Sequence, residues 1–189
     1  GNTGPSSAGW FRKPVQSLAD VAGLRIRVAG LGGEIYRRMD ATPLTLSPGE
    51  TYPALERGTI DAAEFLAPAN DLALGLQRVA PHLAFPGFGK PNGASELLIG
   101  LQHWRTLPPR LQAIVGTAAR AEHDAGLAEA ARSNAAALRS LIAEGTSIFR
   151  LPDDVLDRAQ QIAADILDRV RTQDPLSAAI VDSYRAQAG

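Results

Sequence analysis

Between Leu24 and Val79, short apolar runs with strand character alternate with helical segments, and this alternation restricts the fold more than any other feature. Leu24–Ala29 (LRIRVA) interleaves apolar residues with arginine and predicts a strand. Gly30, Gly32 and Gly33 predict a turn, Glu34–Asp40 a helix and Leu44–Leu46 a second short strand. Ser47-Pro48-Gly49-Glu50 is a helix start, with serine at the cap, proline at the first position and glutamate three residues beyond the cap. That helix should end near Gly58, followed by a strand over Asp61–Leu66 and a helix over Asn70–Val79. Strands joined through helices lie parallel, so the expected class is α/β, with a parallel-rich sheet flanked by helices.

Outside this region the pattern loosens. Gly1–Pro14, rich in Gly, Ser and Pro, reads as loop or linker. Ser17 with Asp20 suggests a short capped turn. A Pro/Gly-rich passage (PHLAFPGFGKPNG) precedes an apolar stretch, Glu96–Leu101, expected as a strand. Pro108–Glu144 is rich in Ala, Leu, Arg and Glu and could extend for about 55 Å as one helix at about 1.5 Å per residue. Gly116 and Gly126 argue against an unbroken rod. Ser147–Leu151 predicts a strand, and Asp153–Thr172 and Leu176–Ala188 predict amphipathic helices. The chain divides into residues 1–103, an α/β lobe, and 104–189, a long connecting helix with a C-terminal helical segment.

Composition removes several function classes. The 19 basic and 20 acidic side chains nearly cancel, and no Lys/Arg cluster offers the basic face that nucleic acid requires. Lysine occurs only at Lys13 and Lys90, so an anionic partner must mostly meet arginine. The absence of cysteine excludes disulfides, thiolate catalysis and sulfur-ligated zinc. No run approaches the roughly 20 apolar residues of a membrane span. The chain starts at Gly1 without a signal-peptide pattern, as a processed or truncated product would.

Catalytic motifs are not found. Val28–Ile35 (VAGLGGEI) follows a strand and opens a helix as a dinucleotide-binding loop does, but the third glycine position is Ile35, where close helix–sheet contact is needed. A nucleotide-binding enzyme domain therefore stands as the weaker alternative. His82, His103 and His123 are too scattered for a helical metal pair. Asp153-Asp154 sits where a helix N-terminus favours negative charge.

Two charged residues stand out instead. Arg27 and Glu64 each lie near the carboxyl end of an expected parallel strand, where open α/β sheets bind ligands. An arginine fork there can grip a carboxylate bidentately. Arg25, two residues away on the same face, is an equal candidate on spacing alone. A glutamate beside a bound anion repels it unless a cation intervenes. Either Arg27 pairs directly with Glu64, or Glu64 holds a metal that also ligates the substrate.

These residues lie within stretches that resemble the solute-binding subunits of tripartite ATP-independent periplasmic (TRAP) transporters, in the branch that binds 2-oxo and hydroxy acids. The stretches are GNTG (1–4), GWFRK (9–13), GLRIRVAGLGGEI (23–35), PGETYPALERGTIDAAEF (48–65), PANDLALGL (68–76), WRTLPPRLQAI (104–114) and NAAALRSLIAEG (134–145). The resemblance implies the latter part of a two-lobed, type II-like periplasmic binding protein, with most of the first lobe's sequence absent, that captures a small organic acid rather than catalysing a reaction. It selects Arg27 over Arg25 for the substrate carboxylate and makes Glu64 the ligand of a calcium or sodium ion that bridges to the substrate. Phe65 stands where an aromatic pocket wall is usual, and Ser6 and Asn70 fall in pocket-forming stretches. A periplasmic location, membrane permease partners and a homodimer through the C-terminal helices are implied with it; a ligand-sensing domain is the alternative use of the same fold. Departures concentrate near the pocket. Ser6 replaces a metal-ligating glutamine, Ala69 a tyrosine, and PGFGK (86–90) loses a histidine and an acidic residue while gaining Lys90.

Overall fold

Ile26 has no solvent exposure, and the arginines on either side of it occupy the sheet between two parallel neighbours. The computed structural model describes residues 1–90 and 92–187. Its elements in chain order are β1 (Asn2–Pro5), β2 (Gly9–Phe11), β3 (Arg25–Arg27), α1 (Leu31–Arg37), β4 (Thr42–Leu44), α2 (Pro48–Glu56), β5 (Ala62–Ala63), α3 (Pro68–Ala73), β6 (His82–Ala84), β7 (Asn92–Ala94), α4 (Leu101–Thr106), α5 (Pro109–Ala143), β8 (Ser147–Phe149), α6 (Asp153–Arg171) and α7 (Pro175–Gln187). Six strands form one sheet in the order β4-β3-β5-β2-β6-β8, and β1 pairs with β7 in a separate ribbon. The β4-β3-β5 and β6-β8 pairings are parallel, as the alternation predicts, while β2 runs antiparallel to both β5 and β6.

Period-two alternation divides the core between the two faces of the sheet. Phe11, Ile26, Ala62 and Ala84 face a layer built from Ile35 and Tyr36 of α1 and Val155, Ala159, Ile162 and Ile166 of α6. Trp10, Ala63 and Leu83 face the opposite layer, with Leu55 of α2, Ile60, Leu76 and Leu141 of α5. The 4-3-4 spacing of the buried α6 residues is the inward stripe of an amphipathic helix. The sheet is thus covered on both sides, as a parallel layer requires.

Several local expectations hold with shifted limits. The Ser47–Glu50 capping box starts α2, whose chain turns out at Gly58. Helix α1 begins at Leu31 and runs through Gly32 and Gly33, ending before Asp40, which takes a left-handed conformation. Strand β4 lies at Thr42–Leu44, and β5 is two residues long. The helix expected over Asn70–Val79 splits into α3 and a 3-10 turn at Leu76–Arg78. The terminal helix is seen to Gln187; its expected last residue, Ala188, lies outside the described residues, as does Pro91.

Three expectations are corrected. Gly1–Pro14 is not a linker, because it contains β1 and the central strand β2, with Trp10 and Phe11 fully buried. Glu96–Leu101 is not a strand: residues 96–100 are irregular, Leu98 is 83% exposed, and the nearby pairing belongs to β7 instead. The segment after Pro108 is one continuous helix of 35 residues despite Gly116 and Gly126. Its C-terminal half is fixed by tertiary packing of Ala130, Asn134, Ala137 and Leu141, which outweighs glycine's helix penalty of about 1 kcal/mol. Among the described residues, no helix is long and apolar enough to cross a membrane.

Two buried polar side chains tie these pieces together. Asp71 accepts hydrogen bonds from Trp10 Nε1 (2.9 Å) and from the Leu66 amide (2.9 Å), joining β2 to the segment after β5. Asn134 of α5 donates through Nδ2 to the Thr3 carbonyl (2.7 Å) and accepts from the Ala69 amide (3.0 Å). Glycine is required at both approaches. A Cβ on Gly4 (φ 68°) would lie 2.9 Å from Asn134 Nδ2, and one on Gly9 (φ 145°) 3.0 Å from the Ala63 carbonyl oxygen.

Burial pushes the Asp71 carboxyl upward, against the pull of its Trp10 and Leu66 donors. The folded protein then holds this proton more tightly than the unfolded chain. Its stabilising effect is full below the ordinary carboxylate range and falls as pH rises toward the folded value. Measured by urea unfolding, wild-type stability relative to Asp71→Asn should decline as pH rises above the ordinary carboxylate range of about 4. Asp71→Ala should cost about 2–4 kcal/mol, because two buried N–H donors lose their acceptors.

Candidate ligand-binding site

The parallel registers bring the two singled-out residues together. Arg27 is the last residue of β3 and pairs with Ala63 of β5, and the Glu64 amide donates to the Arg27 carbonyl at 2.8 Å. Both side chains therefore emerge at the carboxyl edge of adjacent strands.

Arg25 and Arg27 share a face but not an environment. Arg25 is exposed and makes a bidentate pair with Asp61, at 2.8 and 2.7 Å, which holds the Asp61 carboxyl below the ordinary range. Arg27 is partly buried and has no carboxylate partner among the described residues. Its Nε donates to the Leu46 carbonyl (3.2 Å) and its Nη1 to the Glu64 carbonyl (2.7 Å). The guanidinium carbon lies 4.9 Å from the centroid of the Phe65 ring, within cation–π range. Two backbone carbonyls and an aromatic face thus fix the plane of the fork, while Nη2 carries no protein hydrogen bond among the described residues. Such a group is set to receive an anion.

Arg27 and Glu64 meet through the backbone carbonyl of Glu64, not through their charges. The Glu64 carboxylate instead pairs with Lys90: Nζ lies 3.0 Å from Oε1. The same ammonium donates to the Phe65 carbonyl at 2.7 Å. Neither arrangement expected from sequence, a direct Arg27–Glu64 pair or a Glu64-held metal, includes this third partner. Reasoning from sequence noted Lys90 only as an unusual residue of the 86–90 loop. The available signal was that one of just two lysines follows a Pro/Gly-rich turn.

The other expected residues have different surroundings. Ser6 is almost fully buried, and its Oγ has no hydrogen-bond partner among the described residues, although its carbonyl accepts from the Gly87 amide at 2.7 Å. Asn70 is exposed near the start of α3 and makes no side-chain hydrogen bond among the described residues. Tyr36 was not singled out. Its phenol is buried without a partner, and burial together with the charge of Glu64 pushes it up. The described residues contain no group of three or more His, Cys, Asp or Glu side chains placed to share a metal ion.

Comparison with known proteins identifies the family. The chain is 34% identical over 186 residues to a monocarboxylate 2-oxoacid-binding periplasmic protein of Nostoc sp., covering 98% of this chain and 51% of that protein. It matches the structure of a TRAP transporter solute-binding protein from Bordetella bronchiseptica, a mixed-occupancy dimer with copurified calcium and picolinate, with a TM-score of 0.90 and 34% identity over 98% of this chain and 55% of that one. A TRAP periplasmic solute-binding protein from Pseudoalteromonas atlantica, with bound sodium and pyruvate, matches with a TM-score of 0.86 and 30% identity over 98% and 57% of the two chains. The chain therefore spans about half the length of these relatives. The family model described as bacterial extracellular solute-binding protein, family 7, matches residues 1–174, and the chain belongs to that family.

Proposed function

We infer that this chain forms part of a periplasmic binding protein that captures a small organic acid, a 2-oxo or hydroxy monocarboxylate, and delivers it to TRAP-type membrane permease subunits. The observation that carries this reading is the Arg27 guanidinium, held in plane by two carbonyls and Phe65 yet without a carboxylate partner among the described residues. A carboxylate can dock on its free edge with charge-assisted hydrogen bonds. Family membership, the 2-oxoacid-binding relative and the relatives holding pyruvate or picolinate support the same ligand class. No acid–base or nucleophilic step is called for, and the protein acts as a binder rather than an enzyme.

In this reading Arg27 holds the carboxylate, Phe65 walls the ligand, and Glu64 fixes the charge pattern beside it. Ser6 provides a buried hydroxyl and Asn70 an exposed amide nearer the rim. Residues 1–103 carry the ligand-binding lobe, and 104–189 the connecting and C-terminal helices. Closure of two lobes over the acid favours the bound state because the ligand touches both only when they are closed. The exposed Leu176, Ile180 and Tyr184 of α7 recur every four residues and offer an apolar stripe for a homodimer through the C-terminal helices.

Calcium or sodium accompanies the acids in the relatives. The residues of this chain do not fit a calcium ion. Calcium takes about six to eight oxygen ligands, whereas the carboxylate beside Arg27 and the neighbouring Phe65 carbonyl both already face the Lys90 ammonium.

Native mass spectrometry of the intact protein carrying this chain should show a bound mass equal to a small organic acid; a bound nucleotide would overturn the reading. Arg27→Ala should weaken pyruvate binding about 100-fold, from the loss of a bidentate charge-assisted contact, with cooperative unfolding retained. Arg27→Lys should cost about tenfold, since it keeps the charge but loses the planar fork. Unchanged affinity in Arg27→Ala would remove this residue from the site.

A further inference from the structure

We propose that Lys90 is the built-in cation of this site, so that the protein captures its acid without calcium or sodium. The inference rests on the carboxylate-capture reading above.

The electrostatic problem follows from the fold. Parallel pairing puts Glu64 next to Arg27, so an anion on the Arg27 fork approaches a carboxylate whose side chain is only 14% exposed. In such a setting like charges repel strongly, and a positive group must lie between them. In the relatives a calcium or sodium ion accompanies the bound acid. Here a positive group is already in place. The Lys90 ammonium is 3.0 Å from Glu64 Oε1 and 2.7 Å from the Phe65 carbonyl oxygen. These are the oxygens that a bare cation at the carboxyl end of β5 would draw on.

The stoichiometry of donors also fits. An ammonium has three N–H bonds, and at most two are engaged, one in the hydrogen bond to the Phe65 carbonyl and one toward Glu64 Oε1, its ion-pair partner at 3.0 Å. The third has no protein acceptor among the described residues. It is available to the ligand's carboxylate or to the oxygen on its adjacent carbon. Arg27 and Lys90 would then grip one small acid from two sides, with Glu64 neutralised by the lysine. A metal ion would have to sit against the ammonium, which repulsion opposes, or displace it at the cost of its contacts with Glu64 and Phe65. Ser6 strengthens the case, since a shorter, buried hydroxyl stands where the resemblance implies a metal-ligating glutamine.

Calorimetric titration of the intact protein with pyruvate and with picolinate, in sodium-free buffer with a chelator and again with calcium or sodium added, tests this directly. The dissociation constant of whichever acid binds should change by less than about threefold between conditions. Calcium alone should give no heat. Lys90→Met should weaken binding in chelator by about tenfold or more, and added calcium should restore part of the loss, because Glu64 is then free to take the ion. A wild-type affinity that collapses on metal removal would overturn the inference while leaving carboxylate capture intact. So would calcium binding to the wild type that Glu64→Gln abolishes, or unchanged chelator affinity in Lys90→Met. Failure of both acids to bind under every condition would instead overturn capture of these acids, and this inference with it.

Discussion

A single registration between parallel strands organises the candidate site. Arg27 stands opposite Ala63, so the chain leaves β5 at Glu64 and Phe65 with the Glu64 amide bonded to the Arg27 carbonyl. Every polar contact of the site then follows. The Glu64 carbonyl becomes an acceptor for Arg27 Nη1, the Phe65 ring comes beneath the guanidinium, and the Phe65 carbonyl faces Lys90. A slip of one residue would turn the β5 side chains to the opposite face and disperse the group. The site is backbone-built, which explains how one arginine, one glutamate and one lysine suffice to define it.

That register is itself held from the other side by an antiparallel strand. Trp10 pairs with Ala63 and Phe11 with Ala62, and the Trp10 indole is anchored on Asp71 just beyond the site segment. The two alanines of β5 leave room for these aromatic neighbours, one on each face of the sheet. Gly9 allows a close approach to the Ala63 carbonyl, where a Cβ would lie only 3.0 Å from the oxygen. The segment between β5 and α3 is thus pinned at both ends, at Glu64 by β3 and at Leu66 by Asp71.

The parts of the molecule legible in the sequence were those governed by local physics. The 24–79 alternation, the Ser47–Glu50 cap and the amphipathic period of α6 depend on neighbours within a few residues, and each appears in the structure. Strand β2 does not: its three residues sit in a Gly/Ser/Pro-rich stretch, and its partners lie some fifty and seventy residues away. The apolar run at Glu96–Leu101 misled for the opposite reason. Hydrophobicity announced a strand, but Leu97, Leu98 and Leu101 are exposed alongside Leu111 and Ile114 of α5, the composition of an interface rather than a core. At the site, strand position pointed to Arg27 and Glu64, and their juxtaposition is observed. Lys90 reaches Glu64 and Phe65 from a loop about twenty-five residues further along the chain, beyond any sequence period.

Among the described residues, the buried side chains of the long helix α5 all lie in its C-terminal half. Its buried residues begin at Ala130, and Asn134 alone joins it by side-chain hydrogen bonds to both β1 and the start of α3. The part from Pro109 to Glu129 contains no fully buried residue. Geometrically this is a lever with its fulcrum at Asn134. A tilt of about 10° there sweeps the Pro109 end through about 6 Å, and the same rotation pulls on the Thr3 carbonyl and the Ala69 amide. A rotation that moved the far tip by several ångströms would displace the groups bonded to Asn134, close to the segment that carries Glu64 and Phe65, by a fraction of one.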